Sequence, residues 1–231
     1  MADQLQRTTI EVLLGPLNDV ERKNAPRELF YAGDTGLFDL GPRVSLVGSR
    51  KASERGLRNA TRLAAWLVGR GAVVVSGLAD GIDTAAHEAT LAAGGRTIGV
   101  IGTPIDEFYP SRNRALQTRL MREHLVISQF ASGHPVQPKN FAIRNRTMAL
   151  ISHATIIVEA AEKSGSLHQG WEALRLGRPL FVLDWLMKDP ALKWPSALAH
   201  YGALSLSADA LDAMLEYLPE HGRADLAQLE F

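Results

Sequence analysis

Cysteine is absent from the sequence, which excludes disulfides, thiolate metal sites and cysteine nucleophiles. Excess charge is absent too. The 25 basic side chains balance the 25 acidic ones, and the isoelectric point is near 7.1. Such a chain can hold a polyanion only through a local patch, since it has no global positive field. There is no long apolar run, and the first fourteen residues are rich in acidic and amide groups. Neither a signal peptide nor a membrane-spanning helix is therefore expected, and a cytoplasmic location follows. No G-x-G-x-x-G follows the first strand and no G-x-x-x-x-G-K-[ST] occurs, which removes support for NAD, FAD and P-loop chemistry. No cofactor and no metal are expected.

What is present is enough for a proper core, since 46% of the residues are hydrophobic. From Arg43 onward, short β-rich runs alternate with helical segments. Strands are expected at 44–48, 72–76, 97–101, 125–130, 154–159 and 180–185. Helices are expected at 53–70, 82–93, 113–123, 146–152 and 167–176, with Ser53 capping the first. Continuous apolar runs such as Val73-Val74-Val75 and Ile156-Ile157-Val158 fit strands covered on both faces. The pattern predicts an α/β fold: a doubly wound, mostly parallel, Rossmann-like sheet. Residues 43–185 form that domain. Residues 1–42 read as an extension with a helix and an extended Leu29-Phe30-Tyr31 segment that pairs at an edge. Residues 186–231 read as a second extension, closed by a helix at 208–218.

Ligands of open α/β sheets lie at the carboxyl ends of the strands. Here those ends carry Gly48-Ser49-Arg50, Ser76-Gly77, Gly102-Thr103-Pro104 and Ser164-Gly165-Ser166. Small residues let backbone N–H groups approach an anion, and each following helix adds the positive end of its dipole. The segment Lys139-Asn140-Phe141-Ala142-Ile143-Arg144-Asn145-Arg146 reads as a connector with an aromatic and three cations. A base face beside phosphate donors suits single-stranded nucleic acid, whereas a core Phe141 and a solvated helix start would be a purely structural use. The bias to arginine, nineteen against six lysines, suits bidentate phosphate contacts and equally a GC-rich genome.

Several motifs together resemble the DNA-processing protein A (DprA/Smf) family. They are Val-Ser-Leu-Val-Gly-Ser-Arg at 44–50 and Ser76-Gly77-Leu78-Ala79-Asp80-Gly81-Ile82-Asp83-Thr84-Ala85-Ala86-His87. Gly94-Gly95-Arg96-Thr97, Tyr109-Pro110-Ser111-Arg112-Asn113-Arg114, Phe141 to Arg146, Val158-Glu159-Ala160 and Ser164-Gly165-Ser166-Leu167 complete the set. The resemblance spans about 43–185. It implies a Rossmann-like domain that binds single-stranded DNA, forms a homodimer and helps load a recombinase, without catalysis. Carried over by motif, Arg50 contacts phosphate and Lys139, Phe141, Arg144 and Arg146 line the strand site, with Phe141 as the stacking face. Ser164, Gly165 and Ser166 supply N–H donors, and Gly48, Ser49, Gly77, Asn140 and Asn145 complete the expected site. Members commonly carry a helical domain ahead of the sheet and a winged-helix-like domain behind it, and the flanks here are too short for both. Ser-Gly-Ser-Leu also continues as His168-Gln169-Gly170-Trp171, more polar and bulkier than usual.

Other readings compete. The wider superfamily includes nucleotide sensors and phosphoribohydrolases of the "lonely guy" type. Those hydrolases carry a carboxylate three residues after the loop, where this chain has Gln169, so that reading loses its base. A sensor of a nucleotide-derived small molecule stands as the alternative. His87 is expected to make structural hydrogen bonds rather than bind metal. Asp80 and Asp83 are expected to order the second loop, and Glu172 to be solvated or a dipole partner. Trp171 and Trp185 are expected to pack between sheet and helix. No Ser-His-Asp arrangement is apparent around Ser49, Ser164 or Ser166.

Overall fold

A computed structural model describes residues 6–219 except Lys163. Nine strands make one sheet: β1 (Gln6–Thr8), β2 (Leu29–Gly33), β3 (Arg43–Gly48), β4 (Val73–Ser76), β5 (Thr97–Ile101), β6 (Leu125–Ser128), β7 (Ala154–Glu159), β8 (Leu180–Leu183) and β9 (Leu204–Leu206). Their order is β1-β2-β6-β5-β4-β3-β7-β8-β9. Every pairing from β6 across to β9 is parallel, and β1 and β2 join antiparallel at one end. This is the α/β, mostly parallel sheet the alternation predicts. The extended segment at Leu29 does enter the sheet, but β1 lies outside it, so it is not the edge.

The helices are α1 (Ile10–Leu14), α2 (Asp19–Asn24), α3 (Glu54–Val68), α4 (Ile82–Ala92), α5 (Arg114–Glu123), α6 (Pro138–Ile151), α7 (Ser166–Arg175), α8 (Asp184–Met187), α9 (Trp194–His200) and α10 (Leu211–Met214). α3 packs beside α4, and α6 beside α7. The central strands are buried along their length, which is why they read as unbroken apolar runs. Arg43 ties the first strand of the parallel set to its surroundings. Its Nε donates to Ile151 O at 2.6 Å and its Nη1 to Phe38 O at 2.6 Å, and burial lowers its pKa to about 10.

The strand expected at 180–185 stops at Leu183, where α8 takes over at Asp184. Three further boundaries differ from expectation for identifiable reasons. The fourth strand of the parallel set ends at Ser128, because Ser128 Oγ donates to Thr103 O at 2.6 Å and accepts from Phe130 N at 3.1 Å, turning the chain. The helix expected at 208–218 is one α-helical turn between two 3-10 turns, Ala208–Ala210 and Leu215–Tyr217. So short a segment tightens at both ends. Third, α6 begins eight residues earlier than expected. Pro138 reads as loop punctuation, yet it occupies the first helical turn, where its missing N–H and fixed φ cost nothing. The whole Lys139–Arg146 segment is therefore helix rather than connector.

The topology marks one place on the rim. From β3 the chain steps through β4, β5 and β6 to one side, then β7 returns to pair on the other side of β3. The carboxyl ends of β3 and β7 flank this switch point, where doubly wound sheets hold their ligands.

Candidate nucleic-acid interface

A cleft of about 830 Å³ opens at the switch point. The loop after β3 forms one wall with Gly48, Ser49, Arg50 and Lys51, and the loop after β7 another with Ser164, Gly165 and Ser166. The first wall is tightly built. A Cβ on Gly48 would lie 2.5 Å from Ile82 Cγ1 and 2.8 Å from Glu159 O, so a larger residue would push β3 from β7. Ser49 N donates to Glu159 O at 2.8 Å, and Ser53 N donates to Glu159 Oε1 at 2.9 Å. Ser53 in turn caps α3 by accepting from Gly56 N. In the second wall the hydroxyls of Ser164 and Ser166 share a hydrogen bond at 2.5 Å, and Asn145 Nδ2 donates to Gly165 O at 3.0 Å.

The third wall is α6. Phe141, Arg144, Asn145 and Met148 all line the cleft. Their spacing of three, four and seven residues is one helical face. Of the site residues expected from sequence, Gly48, Ser49, Arg50, Phe141, Arg144, Asn145, Ser164, Gly165 and Ser166 lie on the cleft. Four do not. Gly77 is buried beneath it, Asn140 is fully buried and donates from Nδ2 to Pro135 O at 3.1 Å, and Lys139 is exposed between lining residues Pro138 and Phe141. Arg146 faces away, its Nε donating to Glu172 Oε1 at 3.4 Å. Glu172 also pairs with Arg175, so it joins α6 to α7 rather than standing in solvent.

Burial divides the cations. Arg144 is 5% exposed, and its Nη1 lies 3.7 Å from Asp83 Oδ2 on α4. Burial pushes Asp83 up and Arg144 down, and the attraction between them opposes both shifts. Asp83 also accepts from Ala79 N at 3.3 Å, which orders the loop after β4 as expected. Gly77 makes room for this pair, since a Cβ there would lie 1.7 Å from Arg144 Nη1. Arg144 Nε has no hydrogen-bond partner. Arg50, by contrast, is exposed and lies over the Phe141 ring at 5.1 Å. His87 is fully buried, with Nε2 2.6 Å from Gly77 O and Nδ1 2.7 Å from Thr97 Oγ1. A carbonyl only accepts, so Nε2 carries the proton. Burial lowers the pKa to about 4, and the ring is a neutral structural link.

The sequence leaves open whether His168 faces the ligand, and this residue lines the cleft; Lys51, Asp83, Tyr109 and Gln169 were missed as lining residues. Lys51 directly follows Arg50, a signal that was available. Asp83 reaches the cleft only because it meets Arg144 from a distant helix, which no spacing reveals. Trp171 also departs from expectation. It is 39% exposed and meets Tyr201 edge-on at 5.2 Å, because Gln169 and Gly170 already occupy the inward face of α7. Trp185 does pack against the core. Among the described residues no group of three His, Asp or Glu side chains is placed to hold a metal, and no helix is long and apolar enough to cross a membrane.

The class is a doubly wound α/β protein with a cation-edged cleft at its switch point, the place where such sheets hold their ligands. The chain belongs to the family of DNA recombination-mediator protein A, which it matches over residues 16–218. It is 42% identical over 166 residues to DNA processing protein DprA of Streptococcus pneumoniae, covering 72% of this chain and 58% of that protein. The X-ray structure of the S. pneumoniae protein superposes with a TM-score of 0.80 at 34% identity, over 94% of this chain and 75% of that one. DNA processing protein A from Helicobacter pylori, whose structure was described for its single-stranded DNA binding mode, gives 0.77 at 27% identity, over 93% and 98%. The chain thus spans a little over half the length of the curated S. pneumoniae relative.

Proposed function

We propose that the switch-point cleft binds single-stranded DNA for DNA processing and recombination, without catalysis. The observation that carries the reading is the stripe Phe141, Arg144, Asn145 and Met148 on α6 facing Arg50 and Lys51 across the cleft. It sets an aromatic ring among phosphate donors. The far wall offers the Ser164 and Ser166 hydroxyls rather than the N–H groups expected from sequence. Ser164 N already donates to Ala161 O at 3.0 Å, and Ser166 N to Ser164 Oγ at 3.4 Å. Family membership supports the same ligand, and with it a role in DNA uptake, a homodimer, a recombinase partner and a cytoplasmic site of action.

The cleft volume of about 830 Å³ also suits a nucleotide-sized small molecule. The two readings separate cleanly. A strand-binding protein titrates with oligo-dT in a strongly salt-dependent way and releases no small phosphate compound on denaturation. A nucleotide sensor releases such a compound, seen by mass spectrometry, and has negligible affinity for the oligonucleotide.

A further inference from the structure

We infer that Tyr109 is a second base-stacking residue of this cleft and presents a more open ring than Phe141; the inference rests on the single-strand reading above. Phe141 is hemmed in. A Cβ added to Gly102 would lie 2.8 Å from its Cδ1, so one part of the ring rests on the backbone after β5. Arg50 lies over the ring at 5.1 Å, and the Tyr109 ring stands 5.3 Å away, tilted by 43°. Rings at this separation are already a direct aromatic pair, which spans about 4.5–7 Å between centroids, so no base fits between them. An incoming base must therefore land on an outer face of the pair. Tyr109 is 50% exposed and lines the cleft, so its outer face is the accessible one.

The loop that carries Tyr109 is also held in place, which separates a built stacking platform from a stray surface tyrosine. Asn113 Nδ2 donates to Leu78 O and to Thr84 Oγ1, both at 2.9 Å. Gln117 Nε2 donates to Ile105 O at 3.0 Å and Glu107 O at 3.1 Å. Arg112 pairs with Asp80 at 2.5 Å. These bonds fix both flanks of the ring before any ligand arrives, so little ordering cost falls on binding. Among the described residues no hydrogen bond engages the Tyr109 hydroxyl, and the ring alone is assigned the role.

The test compares oligo-dT with an abasic oligonucleotide of equal length, by fluorescence anisotropy. Tyr109→Ala should weaken oligo-dT binding by roughly 5- to 150-fold, the effect of losing one stacked base. Tyr109→Leu should share that loss, Tyr109→Phe should bind as the parent does, and the abasic strand should not distinguish the variants. Equal losses on both strands overturn the inference, since Tyr109 would then only shape the loop. Undiminished oligo-dT binding by Tyr109→Ala overturns it too, while an accompanying loss in Arg50→Ala would leave the cleft reading standing. If Arg50→Ala also binds undiminished, the cleft reading falls and takes the inference with it.

Discussion

At the rim of the cleft, Arg50 and Lys51 are exposed, and among the described residues no carboxylate lies within ion-pair distance of them. At its floor, Arg144 is buried against Asp83, with Gly77 yielding the space and His87 bracing the Gly77 carbonyl from below. Among the described residues, apart from the Arg50 guanidinium over the Phe141 ring, no side-chain contact of these rim cations holds the fold. The floor cation is embedded in it, and its charge is already countered. A polyanion entering the cleft therefore meets its uncompensated charge at the rim, while the floor supplies shape. The contrast predicts that floor substitutions change stability first and that rim substitutions change binding alone.

The largest effect should come from Asp83→Ala, which leaves a guanidinium buried without its counter-charge. The expected loss is about 3–5 kcal/mol, read from urea unfolding. Next comes acid. His87 titrates near 6.5 when unfolded and at about 4 when folded, so the unfolded chain takes up its proton first. Stability should be full above about pH 6.5, fall as pH drops toward 4, and lose on the order of 3 kcal/mol from this residue. His153, lowered to about 3 by burial and by Arg43 and Arg178, steepens the same fall. His87→Gln should flatten the profile. At the rim, Arg50→Ala should leave the unfolding midpoint unchanged and reduce the salt slope of oligo-dT binding by about 0.7. Smallest of all is Arg146→Ala. Its partly exposed pair with Glu172 predicts less than about 1 kcal/mol in stability and no change in salt slope.

Much of this arrangement was legible in the sequence because buried parallel strands announce themselves. β5 and β7 lie where the apolar runs at Thr97–Ile101 and Ala154–Glu159 place them. The position of the cleft followed as well, since small residues cluster after strands that meet at the switch point. α6 was not legible. Its start is disguised by Pro135 and Pro138, and its buried side includes Asn140, Arg144, Asn145 and Thr147, so no apolar stripe marks its period. The division between rim and floor was equally hidden. Lys139, Arg144 and Arg146 look alike in sequence, and only the reach of Arg144 to Asp83 on α4 and the packing of α6 on α7 give them a free, a buried and a surface-paired role. Tyr109 escaped because it sits in an irregular stretch with no period to read.

The claim that the rim supplies binding charge and the floor supplies structure is tested most directly by the Arg50→Ala, Lys51→Ala double variant. Its oligo-dT affinity is measured across a salt series beside its urea midpoint. The account predicts weaker binding, a salt slope lower by about 1.4, and an unchanged midpoint. An unchanged affinity and slope, or a lowered midpoint that accounts for the lost binding, would contradict it.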